Sequence, residues 1–362
     1  MKLIDKYILR SFLAPFVYCL AAFLLVFIVF DLFDNLSDFV NGNTPMLRVL
    51  RYYVTLVPTV LVFVTPISLL LGILYSLSSM TKNNELTAMR ASGISLYRLM
   101  TPFLVVGFLS SIVVAVVHET ISPQAAYWCD QFVKEQRNDN PESVHIADPF
   151  LMVREQDHRT WFVSRFNTRT YEMGGVEVTT LREDNTTARK LTAQKASWLD
   201  HQWIFEDVVE QKFDTWGNPM GPPRFSRYVD LPELTEVPAD FMVYVKKPEF
   251  MSSRELLLYL NANQNFQKET LARFKVDLHY RLAQPWTCLV ITLLGIPFGN
   301  HTGRKGALAG IMLCFGLFFG YYAVMNLILY IGKEALIPAW LAAWLPNALF
   351  LITGSVMLSR MR

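Results

Sequence analysis

The stretch Ser11–Phe30, SFLAPFVYCLAAFLLVFIVF, contains no Asp, Glu, Lys or Arg. A bilayer core about 30 Å thick is crossed by an α-helix of roughly 20 apolar residues, because each residue adds about 1.5 Å. Lys2, Lys6 and Arg10 precede the stretch, as in a secretion signal, but the run is too long and too bulky for one, and no convincing cleavage site follows. We therefore predict a retained membrane-spanning helix.

Five further charge-free runs occur along the 362 residues, of which 52% are hydrophobic and 18% charged. They are Tyr52–Thr81, Leu99–Val117, Leu282–Asn300, Gly306–Gly332 and Ala335–Ser359. Pro58 and Pro66 in the second run predict a kink in that helix. Six runs of sufficient length predict an α-helical membrane protein with six transmembrane helices.

Basic residues beside the runs indicate the direction in which the chain crosses the membrane, since cytoplasmic loops are enriched in Lys and Arg. One side would hold Lys2, Lys6, Arg10, Lys82, Arg90, Arg98, Arg304, Lys305, Arg360 and Arg362. The short loops on the other side would hold only Arg48, Arg51 and Lys333. This excess predicts that both termini are cytoplasmic and that segment 118–281 lies outside the cytoplasm.

Between the third and fourth runs, from about Glu142 to Tyr244, the pattern changes to short segments that alternate apolar and polar residues, as half-buried strands do. The predicted strands are Phe150–Arg154, Thr160–Phe166, Val176–Leu181, Ala188–Leu199, Trp203–Phe213 and Phe225–Leu231. The predicted turns are Asp157–His158, Gly174–Gly175, Asp200–His201 and Gly217–Asn218–Pro219. Six strands without intervening helices indicate an inserted antiparallel β domain, either a sandwich or an open barrel.

The domain prediction has three parts: transmembrane helices 1–3 in residues 1–117, the β domain in 118–270, and transmembrane helices 4–6 in 271–362. A short helix is predicted over Ser252–Gln264, with Ser252 or Ser253 as N-cap and Glu255 in its first turn. A second helix from about Gln267 continues into the fourth span. The β domain either docks another protein or receives a molecule that leaves the membrane.

Motifs for catalysis or energy conversion are absent from the sequence. It contains no GxxxxGK[ST] loop, no HExxH metal motif and no GxSxG elbow. Its spans lack Asp, Glu or His at mid-membrane, which argues against a carrier driven by an ion gradient. We predict a chain that is not an enzyme, with no catalytic residues and no metal. The net charge of +2 gives no indication of nucleic-acid binding.

The stretch Asn83–Arg98, NNELTAMRASGISLYR, joins the second and third spans on the predicted cytoplasmic side. It predicts a short helix with Asn83 or Asn84 as cap and Gly93 as the stop. Leu86, Met89 and Arg90 would share one face of it. Such a helix either inserts into a groove on a cytoplasmic partner or packs on lipid headgroups.

Small and aromatic residues recur in the fifth span. The glycine pairs Gly306/Gly310 and Gly316/Gly320 are spaced by four residues, which allows close helix approach, within this chain or at a seam with a second subunit. The aromatic residues that follow could line an acyl-chain cavity or face lipid. Asp31, Asp34 and Asp38 share a face beyond the first span, where they either are solvated or meet a ligand amine or a cation-bridged phosphate.

Two stretches resemble the LptF/LptG permease family of Gram-negative bacteria, which extracts lipopolysaccharide from the inner membrane. Glu85–Gly93, ELTAMRASG, is similar to the cytoplasmic coupling helix of that family, and Phe274–Gly299, FKVDLHYRLAQPWTCLVITLLGIPFG, is similar to its entry into the fourth span. The triplet Ser122-Pro123-Gln124 is also similar. The start of the chain and its short C-terminal end resemble LptG more than LptF.

The resemblance implies an inner-membrane subunit that pairs with an LptF- or LptG-like paralogue, with a jellyroll-like β domain in the periplasm. It implies an LptB-like ATPase dimer that holds ATP and Mg²⁺, and LptC- and LptA-like β proteins that receive the lipid. This chain would bind no cofactor. The implied ATPase contact comprises Glu85, Leu86, Met89, Arg90, Ser92 and Gly93, and the subunit seam comprises Gly306, Gly310, Gly316 and Gly320.

The implied cavity between the first and fifth spans is assigned to Phe27, Asp31, Asp34, Arg48, Arg51, Phe318, Tyr321 and Tyr322. Family members often place lysines at the outer end of the first span, where this chain has Asp31 and Asp34. The lipid would therefore differ or be bridged by a cation, or Arg48 and Arg51 would compensate. The predicted function is ATP-driven export of lipopolysaccharide or a related glycolipid. The alternative is a non-transporting scaffold that anchors a periplasmic assembly.

Overall fold

The computed structural model describes residues 3–137, 145–147, 149–154, 157–182, 184, 186–231, 233–262, 268–302 and 307–360. The chain divides into two compact units. The membrane unit comprises Met1–Cys129 and Gln267–Arg362, and the β unit comprises Asp130–Phe266. Each unit has its own hydrophobic core.

The described residues form α1 (Leu3–Asn41), α2 (Met46–Lys82), α3 (Glu85–Ala91), α4 (Leu96–Thr120), α5 (Ser122–Arg137), α6 (Pro238–Val245), α7 (Ser253–Ala262), α8 (Lys268–Ala283), α9 (Thr287–Thr302), α10 (Ala307–Lys333) and α11 (Ala339–Arg360). Six helical segments are long and apolar enough to cross a membrane: α1, α2, α4, Leu271–Gly299 in α8 and α9, Phe315–Lys333 in α10, and α11. The predicted six-span architecture is confirmed.

The fourth span is interrupted by a 3-10 turn at Gln284–Trp286, because Pro285 has no backbone N–H to donate. The break leaves the carbonyl of Ala283 without its helical partner, and Nδ2 of Asn347 donates to that oxygen at 2.8 Å. Oδ1 of Asn347 in turn accepts from the hydroxyl of Tyr321, which lies 2.9 Å from Oγ1 of Thr287. This buried network therefore gives the backbone carbonyl at the break a hydrogen-bond donor.

The first hydrophobic core of the membrane unit joins the beginning of α1 to its neighbours. Ile8 and Phe12 are fully buried there, and the Phe12 ring lies 5.1 Å from that of Phe103 on α4. At Gly72 of α2, an added Cβ would lie only 3.1 Å from the Cα of Phe16. The absence of a side chain at this glycine therefore allows α1 and α2 to approach closely.

The strands of the β unit are β1 (Ile146–Ala147), β2 (Phe150–Arg154), β3 (Arg159–Asn167), β4 (Met173–Leu181), β5 (Thr187–Leu199), β6 (Gln202–Lys212) and β7 (Arg224–Asp230). All pairings are antiparallel, in the order β1-β3-β4-β5-β6-β7 with β2 also on β3. The inserted antiparallel sheet is confirmed, and from β2 to β7 each strand pairs with the next along the chain. Only the two-residue β1 was absent from the sequence prediction.

One predicted turn is wrong. Gly174 and Gly175 lie inside β4 rather than between strands. The chain turns earlier, where Oδ1 of Asn167 accepts from the backbone N–H groups of Arg169 and Thr170. An asparagine side chain that accepts a hydrogen bond from the backbone N–H two residues later stabilises a turn without glycine. The sequence of this turn therefore contains no glycine that would mark it.

The inner face of the sheet is filled by apolar side chains in register. One cross-strand row runs Met152, Trp161, Val178, Leu191, and all four residues are buried. Phe241 of α6 covers this face, with its ring 5.1 Å from Trp161.

Helix α7 begins at a capping box. The Oγ of Ser252 accepts from the backbone N–H of Glu255, and the carboxylate of Glu255 accepts from the backbone N–H of Ser252. The predicted cap at Ser252 is therefore confirmed. The predicted end at Gln264 lies outside the described residues, as does the predicted start of the next helix at Gln267.

Candidate functional site

The loop between the second and third spans forms a helix, α3, that ends sharply. The backbone N–H of Ile94 donates to the carbonyl of Met89, and that of Gly93 donates to Arg90. These two bonds form a Schellman motif, which requires the left-handed conformation that Gly93 adopts at φ +84°. Asn84 stands at the N-cap with φ 58°, but its side chain makes no capping bond.

The side chains of α3 have different surroundings. Leu86 is buried in the first core, and Met89 packs against the same cluster. Thr87, Ala88 and Arg90 are exposed. The predicted contact residues therefore comprise an anchoring pair, Leu86 and Met89, and exposed side chains that are open to a partner. By helix spacing Arg90 shares a face with Leu86 and Met89, but unlike them it is exposed. Ser92 and Gly93, at the end of the helix, are exposed.

Glu85 is the first residue of α3, and each of its carboxylate oxygens accepts a hydrogen bond. The hydroxyl of Tyr7 in α1 donates to Oε2 at 2.8 Å, and Nδ2 of Asn83 donates to Oε1 at 3.2 Å. Two donors on different oxygens fix the orientation of the carboxylate. Because a carboxylate can accept about four hydrogen bonds, lone pairs remain for a further cationic partner.

An open groove of about 280 Å³ lies along the second half of α1. Its walls are apolar and its rim is acidic: it is lined by Phe23, Val26, Phe27, Phe30, Asp31, Asp34 and Val64. Three residues of the predicted cavity, Phe27, Asp31 and Asp34, therefore lie together. Their spacing of four and three residues places them on one helix face. An apolar groove with a charged rim can take an acyl chain and a polar headgroup.

Asp31 is held from the side of α2. The hydroxyl of Tyr52 donates to Oδ1 of Asp31 at 3.4 Å, and Oδ2 is buried. Burial, followed by the charge of Asp31, raises the pKa of Cys129 in α5 to about 12, so the thiol stays protonated. Among the described residues, no three His, Cys, Asp or Glu side chains lie together as metal ligands.

The two predicted arginines lie apart from this acidic rim. Neither Arg48 nor Arg51 lines the groove, and within the described ranges no ion pair joins either one to Asp31 or Asp34. The guanidinium of Arg51 instead stacks over the ring of Trp128 at 5.3 Å. Arg48 is exposed. Charge compensation within the groove by these residues is not seen.

The predicted aromatic residues of α10 do not line the groove on α1. Tyr321 is fully buried in the second core of the membrane unit, where it belongs to the Asn347 network. Phe318 and Tyr322 are half-buried beside it, with ring centroids 4.6 Å apart. Tyr321 therefore stabilises the helix packing instead of lining an open cavity, because its hydroxyl completes the network at the break of the fourth span.

The predicted glycine seam lies partly on an open surface. A Cβ added at Gly316 or Gly320 would meet no heavy atom within 4 Å, so these two positions face open space within the described part of the chain. Gly310 lies in α10, and Gly306 lies outside the described residues. Helix α1 is similarly open. In its most apolar 18-residue segment 6% of the residues are buried, whereas 72% are buried in the corresponding segment of the fourth span.

The tyrosines that bind the carboxylates of Glu85 and Asp31 carry no signal in the sequence. Tyr7 is 78 positions from Glu85, and Tyr52 is 21 positions from Asp31. The same holds for Arg281, which is nearly buried and donates to the carbonyl of His118 at 2.9 Å. Partners so far apart share no local periodicity that could reveal them.

The sequence as a whole was compared with known proteins. The family model described as "Lipopolysaccharide export system permease LptF/LptG" matches residues 6–360. Two similar relatives are the lipopolysaccharide export system permease proteins LptF of Escherichia coli K12 and of Shigella flexneri. Each is 19% identical over 355 residues, which covers 98% of this chain and 94% of the relative. The match over almost the full length, together with six spans and an inserted antiparallel sheet, establishes that this chain belongs to the LptF/LptG family of lipopolysaccharide export permeases.

Proposed function

We propose that the chain is the transmembrane subunit of an ATP-driven complex that extracts lipopolysaccharide, or a related glycolipid, and passes it into the β unit. The observation that carries this proposal is the arrangement of α3. Leu86 anchors the helix in the membrane unit, while Thr87, Ala88 and Arg90 are exposed. A helix that is anchored by some side chains and exposes others suits insertion into the groove of a partner protein.

ATP and Mg²⁺ would be bound by a separate LptB-like ATPase dimer, because the sequence contains no phosphate-binding loop of its own. The oriented carboxylate of Glu85 would form a salt link to an arginine of that ATPase, and a bidentate link would be the strongest form. The exposed Arg90 would contact an acidic group. The chain itself would hold no cofactor and no resident metal ion, and any divalent cation would arrive as a bridge to the lipid.

The proposed orientation follows the basic residues: both termini and α3 face the cytoplasm, and the β unit lies in the periplasm. The open faces of α1 and of α10 at Gly316 and Gly320 would meet a paralogue of the LptF or LptG type. Such a pairing would convert the groove beside Phe27 into an enclosed lipid cavity. LptC- and LptA-like proteins would receive the lipid from the β unit.

Purification of the tagged chain in mild detergent, with mass spectrometry of bound proteins and lipids, tests this proposal. We expect an ATPase, a second permease and a glycolipid.

Glu85→Ala or deletion of 84–93 should abolish ATPase association. Glu177→Ala in the β unit serves as control, because Glu177 is a half-exposed carboxylate engaged by Lys190. Normal ATPase binding by the Glu85→Ala variant would show that the coupling assignment is wrong. Rescue of growth by the β unit on an unrelated anchor would favour a scaffold.

A further inference from the structure

A hydrogen bond links the coupling helix directly to the first span. The hydroxyl of Tyr7 donates to Oε2 of Glu85 at 2.8 Å, across the junction between α1 and α3. We propose that Tyr7 is a positioning residue: it keeps α3 in register with α1, so that movement of α3 by the ATPase reaches the groove. This inference rests on the proposed function, because it takes α3 as the ATPase contact.

Apolar packing joins the same two helices. Leu86 of α3 lies in one buried cluster with Ile8 and Phe12 of α1. Hydrophobic contact is not directional, so this packing alone lets α3 slide or rotate against α1. A hydrogen bond restricts both the distance and the angle between its partners. Among the described residues of α1, the Tyr7 hydroxyl therefore supplies the directional contact to Glu85.

Helix α1 forms one continuous helix from this junction to the groove, although Pro15 within it lacks a backbone N–H and leaves one helical hydrogen bond unmade. Tyr7 and Phe27 are 20 residues apart in Leu3–Asn41, a distance of about 30 Å along the axis. The helix is buried at Ile8 and Phe12, near the junction, whereas Phe27 is exposed beside the groove. A displacement at the buried end therefore moves the walls that contact the lipid.

Tyr7 and the ATPase need not compete for Glu85. The tyrosine hydroxyl binds Oε2 and Asn83 binds Oε1, each at one lone pair, so both oxygens keep acceptor capacity. The bond from Tyr7 therefore persists while an arginine contacts the carboxylate. In that arrangement Tyr7 acts through Glu85, and it does not contact the nucleotide or the lipid.

The test compares Tyr7→Phe with Tyr18→Phe in the complete reconstituted complex, with lipid release and ATP hydrolysis measured together. Tyr18 is an exposed tyrosine of the same helix and is 74% accessible. We expect Tyr7→Phe to keep ATPase association and the unfolding temperature, but to lower lipid released per ATP about fivefold, equivalent to about 1 kcal/mol. Tyr18→Phe should leave this ratio unchanged.

Glu85→Gln separates the two roles of the carboxylate. The amide oxygen still accepts from Tyr7, but the charge is gone, so this variant should lose ATPase association. The inference is wrong if Tyr7→Phe releases as much lipid per ATP as the unchanged protein. It is also wrong if Tyr7→Phe loses the ATPase as Glu85→Gln does, because Tyr7 would then act on assembly. Absence of any ATPase from the unchanged complex would instead refute the proposed function.

Discussion

The carboxylate of Glu236 has no exposed surface and accepts a hydrogen bond from Nη1 of Arg159 at 3.1 Å. Nε1 of Trp161 donates to Oε1 of the same carboxylate at 3.2 Å, and Nε1 of Trp203 donates to the backbone carbonyl of Glu236. The segment that leads from the sheet to α6 is therefore attached to β3 by the ion pair with Arg159 and to β6 by the hydrogen bond from Trp203.

Replacement of Glu236 by Ala should destabilise the β unit strongly. The change removes the counter-ion of the half-buried Arg159 guanidinium and the acceptor of the buried Trp161 Nε1, which together cost about 3 kcal/mol. Amide hydrogen exchange of the full chain in detergent should show the loss in β3 and β6. Glu233→Ala is the matched control, since Glu233 pairs with Arg189 but is 56% exposed, and should cost less than about 1 kcal/mol. Equal losses in the two variants would contradict a special role for the buried pair.

Replacement of Gly93 should weaken the ATPase contact through backbone strain alone. Gly93 has φ +84°, and a Cβ there meets no atom within 4 Å, so steric collision plays no part. A left-handed alanine costs about 1 kcal/mol, whereas asparagine tolerates this conformation better. Titration of the purified chain with its ATPase should show about fivefold weaker binding for Gly93→Ala than for Gly93→Asn. Identical affinities would mean that the end of α3 does not matter for docking.

The spans and most strand ends follow from the sequence because they depend on local pattern. Charge-free runs locate the six spans, and the alternation of apolar and polar residues predicts β2 at Phe150–Arg154 with its observed ends. The start of β4 was misplaced because Gly174–Gly175 resembles a turn, while the turn itself depends on the side chain of Asn167. Local pattern contains no information on a residue's distant neighbours.

The candidate sites were predictable to different degrees for the same reason. Phe27, Asp31 and Asp34 line one groove, as expected for residues that share one helix face. The sequence prediction grouped Tyr321 with them, although that side chain is buried in a separate core. The Tyr7–Glu85 bond joins residues from different helices, so only tertiary packing could reveal it.

Bulky substitution at Gly316 should impair subunit pairing without disturbing the chain itself. A Cβ at Gly316 projects into open space, so Gly316→Leu has room in the isolated chain. If α10 meets a second permease there, the leucine should reduce copurification of that subunit at unchanged expression. Gly332→Ala provides the contrast, because its added Cβ would lie 2.4 Å from Cβ of Ala342. This collision should lower the amount of folded chain. Unchanged pairing by Gly316→Leu would place the seam elsewhere.

Lipid binding in the groove should depend on divalent cations. Asp31 and Asp34 line its rim and repel a lipid phosphate unless a cation lies between the carboxylates and the phosphate. Among the described side chains, neither Arg48 nor Arg51 forms an ion pair with these carboxylates. A photoreactive amino acid in place of Phe27 should crosslink the lipid, and EDTA without nucleotide should reduce the yield about tenfold, which corresponds to about 1.4 kcal/mol.

Asp34→Asn supplies the decisive comparison for this cation dependence. It removes one repulsive charge from the exposed rim while it leaves the apolar wall at Phe27 intact. Because Asp31 remains, EDTA should still lower crosslinking of this variant, but by a smaller factor than in the unchanged chain. A probe at Phe319, an exposed residue of α10, reports general contact with bilayer lipid and should not respond to EDTA in either background. If the unchanged chain crosslinks equally with and without EDTA, the lipid meets the acidic rim through a cationic group of its own, because only an opposite charge could then satisfy the two carboxylates.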